Sequence, residues 1–316
     1  MTDTTYNDLK VLAVALRKGG VGKTLFSVLL AQYFGHVANT PRRTLLIDLD
    51  TQQNASECLI DMDVDPETPD HKTVPPHPDY DPENPDFANW DGRASSADIF
   101  LGDPAETIIA PYPTRFNNLE VLPAAGAALQ SVELVRSEEV KRFIYDRLKA
   151  FFEDPDVQDN YDLIIIDTPP GKGAINRSVL RAATHVLYPV VPEEKPINGL
   201  RGMIQFERME RRHRDRPIDV VGVIPNMVNL QTRLHQENLE KLRADPLIGP
   251  MMVDFCIGER IAFPTIDKPG VQPDTIWEFR NYPEARREAY QLCEFVESRM
   301  FSNINEEAPH GLAEPA

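Results

Sequence analysis

A short aliphatic run, Val11 to Leu16, passes directly into Lys18-Gly19-Gly20-Val21-Gly22-Lys23-Thr24, and a helical pattern opens behind it with Leu25, Phe26, Val28, Leu29 and Leu30. No other stretch of the chain restricts its folding as much. The glycines let the backbone curl with its N–H groups pointing inward, and the start of the helix adds a partial positive charge, so the unit is shaped to cradle phosphate. Lys23 is placed to reach β- and γ-phosphates, and the Thr24 hydroxyl to ligate Mg2+. Where an ordinary phosphate loop has its first glycine, this chain has Arg17. Lys18 stands at the far end of the loop from Lys23 and does not easily duplicate its role. From spacing alone it is either a solvated lysine or a second phosphate contact.

The remaining chain alternates between β-branched runs and longer helical patterns. Strands are expected at Val11–Leu16, Thr44–Leu49, Leu119–Leu122, Leu163–Ile166, Val186–Val191, Val220–Ile224 and Met251–Phe255. Helices are expected at Thr24–Phe34, Leu129–Phe152, Arg177–Ala183, Gly199–Arg211, Thr232–Ala244 and Pro283–Phe301. Several strands are apolar without alternation, as strands covered on both faces are. The expected fold is therefore α/β: a single doubly wound, mostly parallel sheet with helices on both faces, its ligands beyond the carboxyl ends of the strands.

Charge sharpens the boundaries. The 316 residues carry a net charge of −17. Residues 61–91 hold ten acids, one lysine and seven prolines, and 303–316 hold three acids and neither Lys nor Arg. These two segments account for −12, leaving a mildly acidic body able to carry a basic face. One domain is expected over 1–302, with a Pro-rich surface insert at 61–95 through which no regular element runs, and a disordered acidic tail at 303–316. The polar start excludes a signal peptide and no apolar run is long enough to span a membrane, so a cytoplasmic setting is expected. Cys58, Cys256 and Cys293 lie far apart, which excludes a disulfide framework or an obvious zinc or iron–sulfur site.

Two acidic segments fit the phosphate loop. Thr44–Leu49 leads into Asp48-Leu49-Asp50-Thr51-Gln52-Gln53-Asn54, alternate acids on one side of a strand end. Tyr161 to Ile166 leads into Asp167-Thr168-Pro169-Pro170-Gly171, an apolar strand ending in an acid that holds Mg2+ directly or through water. Taken alone, each is also readable as a strand closed by a turn acid. Together with the loop, they make the sequence resemble the ParA/MinD ATPases, whose deviant Walker A motif is Lys-Gly-Gly-x-Gly-Lys-[Ser/Thr], and most closely the small ParA-type (Soj-like) partition ATPases. The resemblance spans nearly the whole chain except 61–91 and the tail. It implies that Lys18 crosses a homodimer interface to phosphates held by the other subunit. It further implies nucleotide contacts over Lys18–Leu25, and Asn226 against adenine. Thr24, Asp48, Asp50 and Asp167 would form the magnesium set, with Asp50 positioning the attacking water and Asp48 supporting the metal shell. Thr51 and Gln53 replace the family's usual Pro and Gly.

The resemblance implies an ATPase that forms an ATP-sandwich dimer, binds DNA non-specifically near the nucleoid, and hydrolyses ATP when stimulated by a ParB-like or other cargo-bound adaptor. The motif begins so early that no additional DNA-binding domain is expected before it. DNA contacts would then fall on surface arginines: Arg208 and Arg211 in a charge-rich helix, Arg233 and Arg260 further on, though such helices are commonly just solvated faces. A membrane-cycling relative would need a basic amphipathic C-terminal helix, and here the tail is acidic. An ATPase positioning a non-DNA cargo, or an ATP-dependent biosynthetic enzyme of the same fold, is the alternative.

Overall fold

The computed structural model describes residues 9–64, 72–103, 106–266 and 275–301. In chain order the elements are β1 (Lys10–Val14), α1 (Lys23–Gln32), β2 (Thr44–Asp48), α2 (Asn54–Leu59), β3 (Asp63–Val64), β4 (Lys72–Thr73), β5 (Tyr112–Pro113) and β6 (Leu119–Leu122). They continue with α3 (Gly126–Glu133), α4 (Glu138–Phe152), α5 (Pro155–Asn160), β7 (Leu163–Asp167), α6 (Ala174–Ala182), β8 (His185–Val190) and α7 (Glu194–Glu210). Last come β9 (Asp219–Pro225), α8 (Arg233–Ala244), α9 (Ala262–Ile266) and α10 (Pro283–Phe301).

Seven strands form one sheet in the order β5-β6-β2-β7-β1-β8-β9, parallel throughout except for the short edge strand β5. The central strands β2 and β7 are buried at every position, which explains their unbroken apolar runs. Two apolar clusters lie on opposite faces of the sheet. Val11, Ala13 and Ile164 belong to one, and Leu12, Val14 and Ile165 to the other. Because the parallel strands end together, Asp48 and Asp167 become register partners on neighbouring strands.

Three expectations change. The helix expected over Leu129–Phe152 is two, because Ser137 takes an extended conformation and its Oγ accepts the Val140 N–H at 3.4 Å, with Glu138 and Glu139 favouring the new N-terminus. Met251–Phe255 is not a strand: a Pro-containing turn at Gly249–Met251 bends the chain, and only Met252 bridges to Val223 of β9. The described part of the insert does hold regular structure: β3 and β4 pair antiparallel, Asp63 with Thr73 and Val64 with Lys72. Tyr80, Phe87 and Trp90 stack with ring centroids 5.2–6.1 Å apart, and buried His77 fastens them to the sheet edge through Tyr112 at 4.8 Å and the Pro111 carbonyl at 3.0 Å. The acidic tail lies outside the described residues.

Candidate nucleotide site

β1 delivers the chain into the loop at the carboxyl end of the sheet. Gly20 and Gly22 take φ of 70° and 90°, a left-handed backbone that an L side chain resists, and Gly22 opens α1. A Cβ on Gly22 would also collide with the amide of Asn226. That amide donates to the Val21 carbonyl at 2.9 Å, so Asn226, buried at the end of β9, supports the loop from beneath. Arg17, Lys18, Gly19 and Gly20 are exposed, whereas Lys23 is buried. Burial pushes the Lys23 ammonium below its usual range, while Asp167 and Asp50 act to hold its charge.

Thr24 and Asp167 meet directly, with Oγ1 donating to Oδ2 at 2.7 Å, and Ser27 one turn along α1 donates to Oδ1 at 3.2 Å. Asp167 is fully buried. Burial first, and the adjacent Asp48 second, raise its proton affinity well above that of an ordinary carboxylate. Asp48 is also raised by burial, against three donors: Oδ1 accepts the Asp50 N–H at 3.0 Å, and Oδ2 accepts the Ser56 N–H at 2.9 Å and its hydroxyl at 2.7 Å. With both oxygens engaged, Asp48 shapes the 50–56 loop. Asp50 is the least buried of the three, its Oδ1 accepting the Gln52 N–H at 3.1 Å.

Other contacts around the site carried little sequence signal. Ser56 Oγ accepts the Ala124 N–H at 2.9 Å, and Gln53 Nε2 donates to the Ala124 carbonyl at 2.7 Å. Gln53 stands where the resembled pattern has glycine and adopts glycine's conformation, φ 59°. From α3, the Glu133 carboxylate accepts the Ala174 and Ile175 N–H groups at 3.0 and 3.1 Å and so caps α6, directly after the Asp167 loop. The segment from Ala124 to Glu133 thus ties together the two acidic loops. Only the Ser-Glu-Glu at the α4 start and the glycine-like position of Gln53 were open to recognition beforehand.

A family model described as "AAA domain" matches residues 9–218. Over 238 residues the chain is 31% identical to the sporulation initiation inhibitor protein Soj of Bacillus subtilis, covering 74% of this chain and 79% of Soj. The chain belongs to the ParA family, Soj-like branch. The chromosome partitioning protein ParA of Caulobacter vibrioides is 26% identical over 266 residues, 83% of this chain and 86% of that one. An ATP complex of McdA from Cyanothece superposes with a TM-score of 0.68 at 18% identity, covering 92% of this chain and 96% of McdA, and shares its fold.

In this ParA-family chain the four candidate DNA arginines are not equivalent. Arg208 is exposed on α7. Arg211 lies 3.6 Å from Glu207, and Arg233 pairs with Glu237 at 2.6 Å on an exposed helix face. Arg260 grips buried Glu288 with Nη2 at 2.6 Å and Nε at 3.3 Å, and the same carboxylate accepts the Gly258 N–H. Its charge is already balanced by a structural partner. Among the described residues no helix is long and apolar enough to cross a membrane.

Proposed function

We propose that this chain is a ParA-type partition or positioning ATPase of the cytoplasm. It would form a dimer on ATP, bind DNA without sequence preference, and hydrolyse ATP when a ParB-like or other cargo-bound adaptor engages it. The observation that carries this reading is the meeting of Thr24 and Asp167 at 2.7 Å beside buried Lys23, at the mouth of a glycine loop opening a helix.

The donor set fits magnesium. No group of three or more His, Cys, Asp or Glu among the described residues is placed to hold an ion unaided. Magnesium is commonly bound by one or two carboxylates together with substrate phosphates. Thr24 and Asp167 would hold it, and when bound it neutralises charge developing on the phosphoryl oxygens. Lys23, enclosed with Asp167 and Asp50, gains a compensating anion when a triphosphate fills the loop. Asp50, the most accessible acid, orients the attacking water, and Asp48 fixes the backbone on which Asp50 sits. Lys18, exposed at the loop entrance, is the cation offered to the partner subunit's nucleotide. Arg208, Arg211 and Arg233 supply phosphate contacts to DNA, which carry no sequence information and weaken with salt.

DNA mobility tests the reading. The protein should retard DNA with ATP and hardly with ADP, less so at high salt, and Lys23→Ala should abolish both ATP binding and the shift. Normal ATP affinity in that variant would remove the phosphate-loop assignment. DNA binding indifferent to the nucleotide would remove the partition reading.

A further inference from the structure

Arg17 occupies the position at which a standard phosphate loop has glycine, and nothing so far accounts for it. Its carbonyl accepts the Gly171 N–H at 3.1 Å, which brings the loop after Asp167 alongside and delivers Lys172 next to it. Both side chains lie over Gly202 of α7. A Cβ there would stand 3.5 Å from Arg17 Nη1 and 3.7 Å from Lys172 Nζ, so the missing side chain leaves the two cations one small patch. Lys18 rests one helical turn away against Gly199, 3.4 Å from where a Cβ would be. Beneath the patch is the ring of Phe206, 5.6 Å from Lys172 Nζ. Among the described residues neither Arg17 nor Lys172 has a carboxylate partner. Burial and the neighbouring Arg17 both lower the proton affinity of Lys172. Two like charges held together call for an anion from outside the subunit.

Which anion follows from position. The patch adjoins the loop that offers Lys18. Arg208, six residues beyond Gly202, lies about a third of a turn round α7 from it, so the arginine proposed for DNA and this patch face different directions. The pocket holds three carboxylates around one buried lysine, and a magnesium-bound triphosphate brings further negative charge. A dimer that closes two such pockets on each other gathers negative charge that a further pair of cations would offset.

We propose that Arg17 and Lys172 form a second cationic pair that accepts phosphate oxyanions carried to the interface by a second copy of this chain, in the nucleotide that copy holds. The proposal rests on the ATP-sandwich reading given above. The test compares wild type, Arg17→Ala/Lys172→Ala, the charge-keeping Arg17→Lys/Lys172→Arg, and Lys172→Met alone. Each is assayed for ATP affinity, for dimerisation with ATP by analytical ultracentrifugation, and for DNA retardation. Removing the pair should leave ATP affinity of the subunit within about twofold and weaken the ATP dimer about tenfold or more, with Lys172→Met intermediate and the charge-keeping variant close to wild type. Dimerisation unchanged by the double substitution overturns the pair's role while leaving the sandwich reading standing. So does normal dimerisation with lost DNA binding, which would make the patch a DNA contact. A wild-type protein that stays monomeric with ATP overturns the sandwich reading and this pairing with it.

Discussion

The carboxyl rim of the sheet and the acidic lobe beside it are built from opposite kinds of contact. At the rim, hydrogen bonds join residues far apart in sequence: Thr24 to Asp167, Asn226 to Val21, Gln53 to Ala124, Glu133 to Ala174. In the lobe many join near neighbours, as where Trp90 Nε1 donates to the Arg93 carbonyl and Asp91 accepts the Arg93 N–H. The longer ones close the lobe on itself or on the adjoining sheet edge, as from Arg93 Nε to the Val74 carbonyl, and rings supply the rest. The rim therefore exists only when the whole sheet is assembled, and a change at one loop is transmitted to the next. The lobe is fastened to the edge through His77 and Tyr112 and should loosen by itself.

The largest effect expected at the rim is on chemistry. Asp50→Ala removes the most accessible carboxylate without touching the three donors that hold Asp48. ATP binding should persist while turnover falls by about 100-fold or more, measured as phosphate release with single-turnover controls. Unchanged turnover would show that another group orients the water. In the lobe the counterpart is Trp90→Ala. Full truncation of a buried aromatic costs about 3–5 kcal/mol, and half-buried Trp90 should lose about 2. The loss should appear as faster amide exchange over 72–95, with ATP turnover unaltered. A parallel fall in turnover would abolish the distinction between the two regions.

A smaller effect should appear in stability against pH. Burial gives Asp167 a higher proton affinity in the folded than in the unfolded chain. Without nucleotide its ionisation therefore penalises the folded state: the penalty is absent below the ordinary carboxylate range and grows as pH rises towards the shifted value. Asp167→Asn still accepts from Thr24 and carries no charge. It should melt a few degrees higher than wild type at pH 8 and converge with it below about pH 4, while losing magnesium-dependent ATP binding. Equal melting at both values would mean that Lys23 fully compensates the charge.

Much of the rim was legible beforehand for a physical reason. Strands buried on both faces read as unbroken apolar runs, and the chemistry that ends them is confined to short motifs such as Lys18–Thr24 and Asp167–Gly171. Ser56, Glu133 and the Ala124 carbonyl were not, because their partners lie tens of residues away and only the folded sheet brings them together. The lobe was read from its prolines and acids, which speak against helices and strands. Tyr80, Phe87 and Trp90 have no repeating spacing, so their packing left no pattern. The donors around Asp48 were hidden for a like reason: its motif names an acid, and only the fold brings Ser56 back against it.

The finest distinction concerns Gln53. An L residue in the left-handed region costs about 1–2 kcal/mol, and the bond to Ala124 returns about 0.5–1.5. Gln53→Gly relieves the backbone but loses that bond and gains freedom in the unfolded chain, so its stability should lie within about 1 kcal/mol of wild type. Gln53→Ala keeps the strain and loses the bond, and should be about 1 kcal/mol less stable than Gln53→Gly by urea denaturation. Turnover should move little in either, since Asp50 is held independently by its own N–H bond to Asp48. If the alanine and glycine proteins prove equally stable, the left-handed conformation at Gln53 is not what the side-chain bond sustains. The acidic loop would then owe its shape to Asp48 and Ser56 alone.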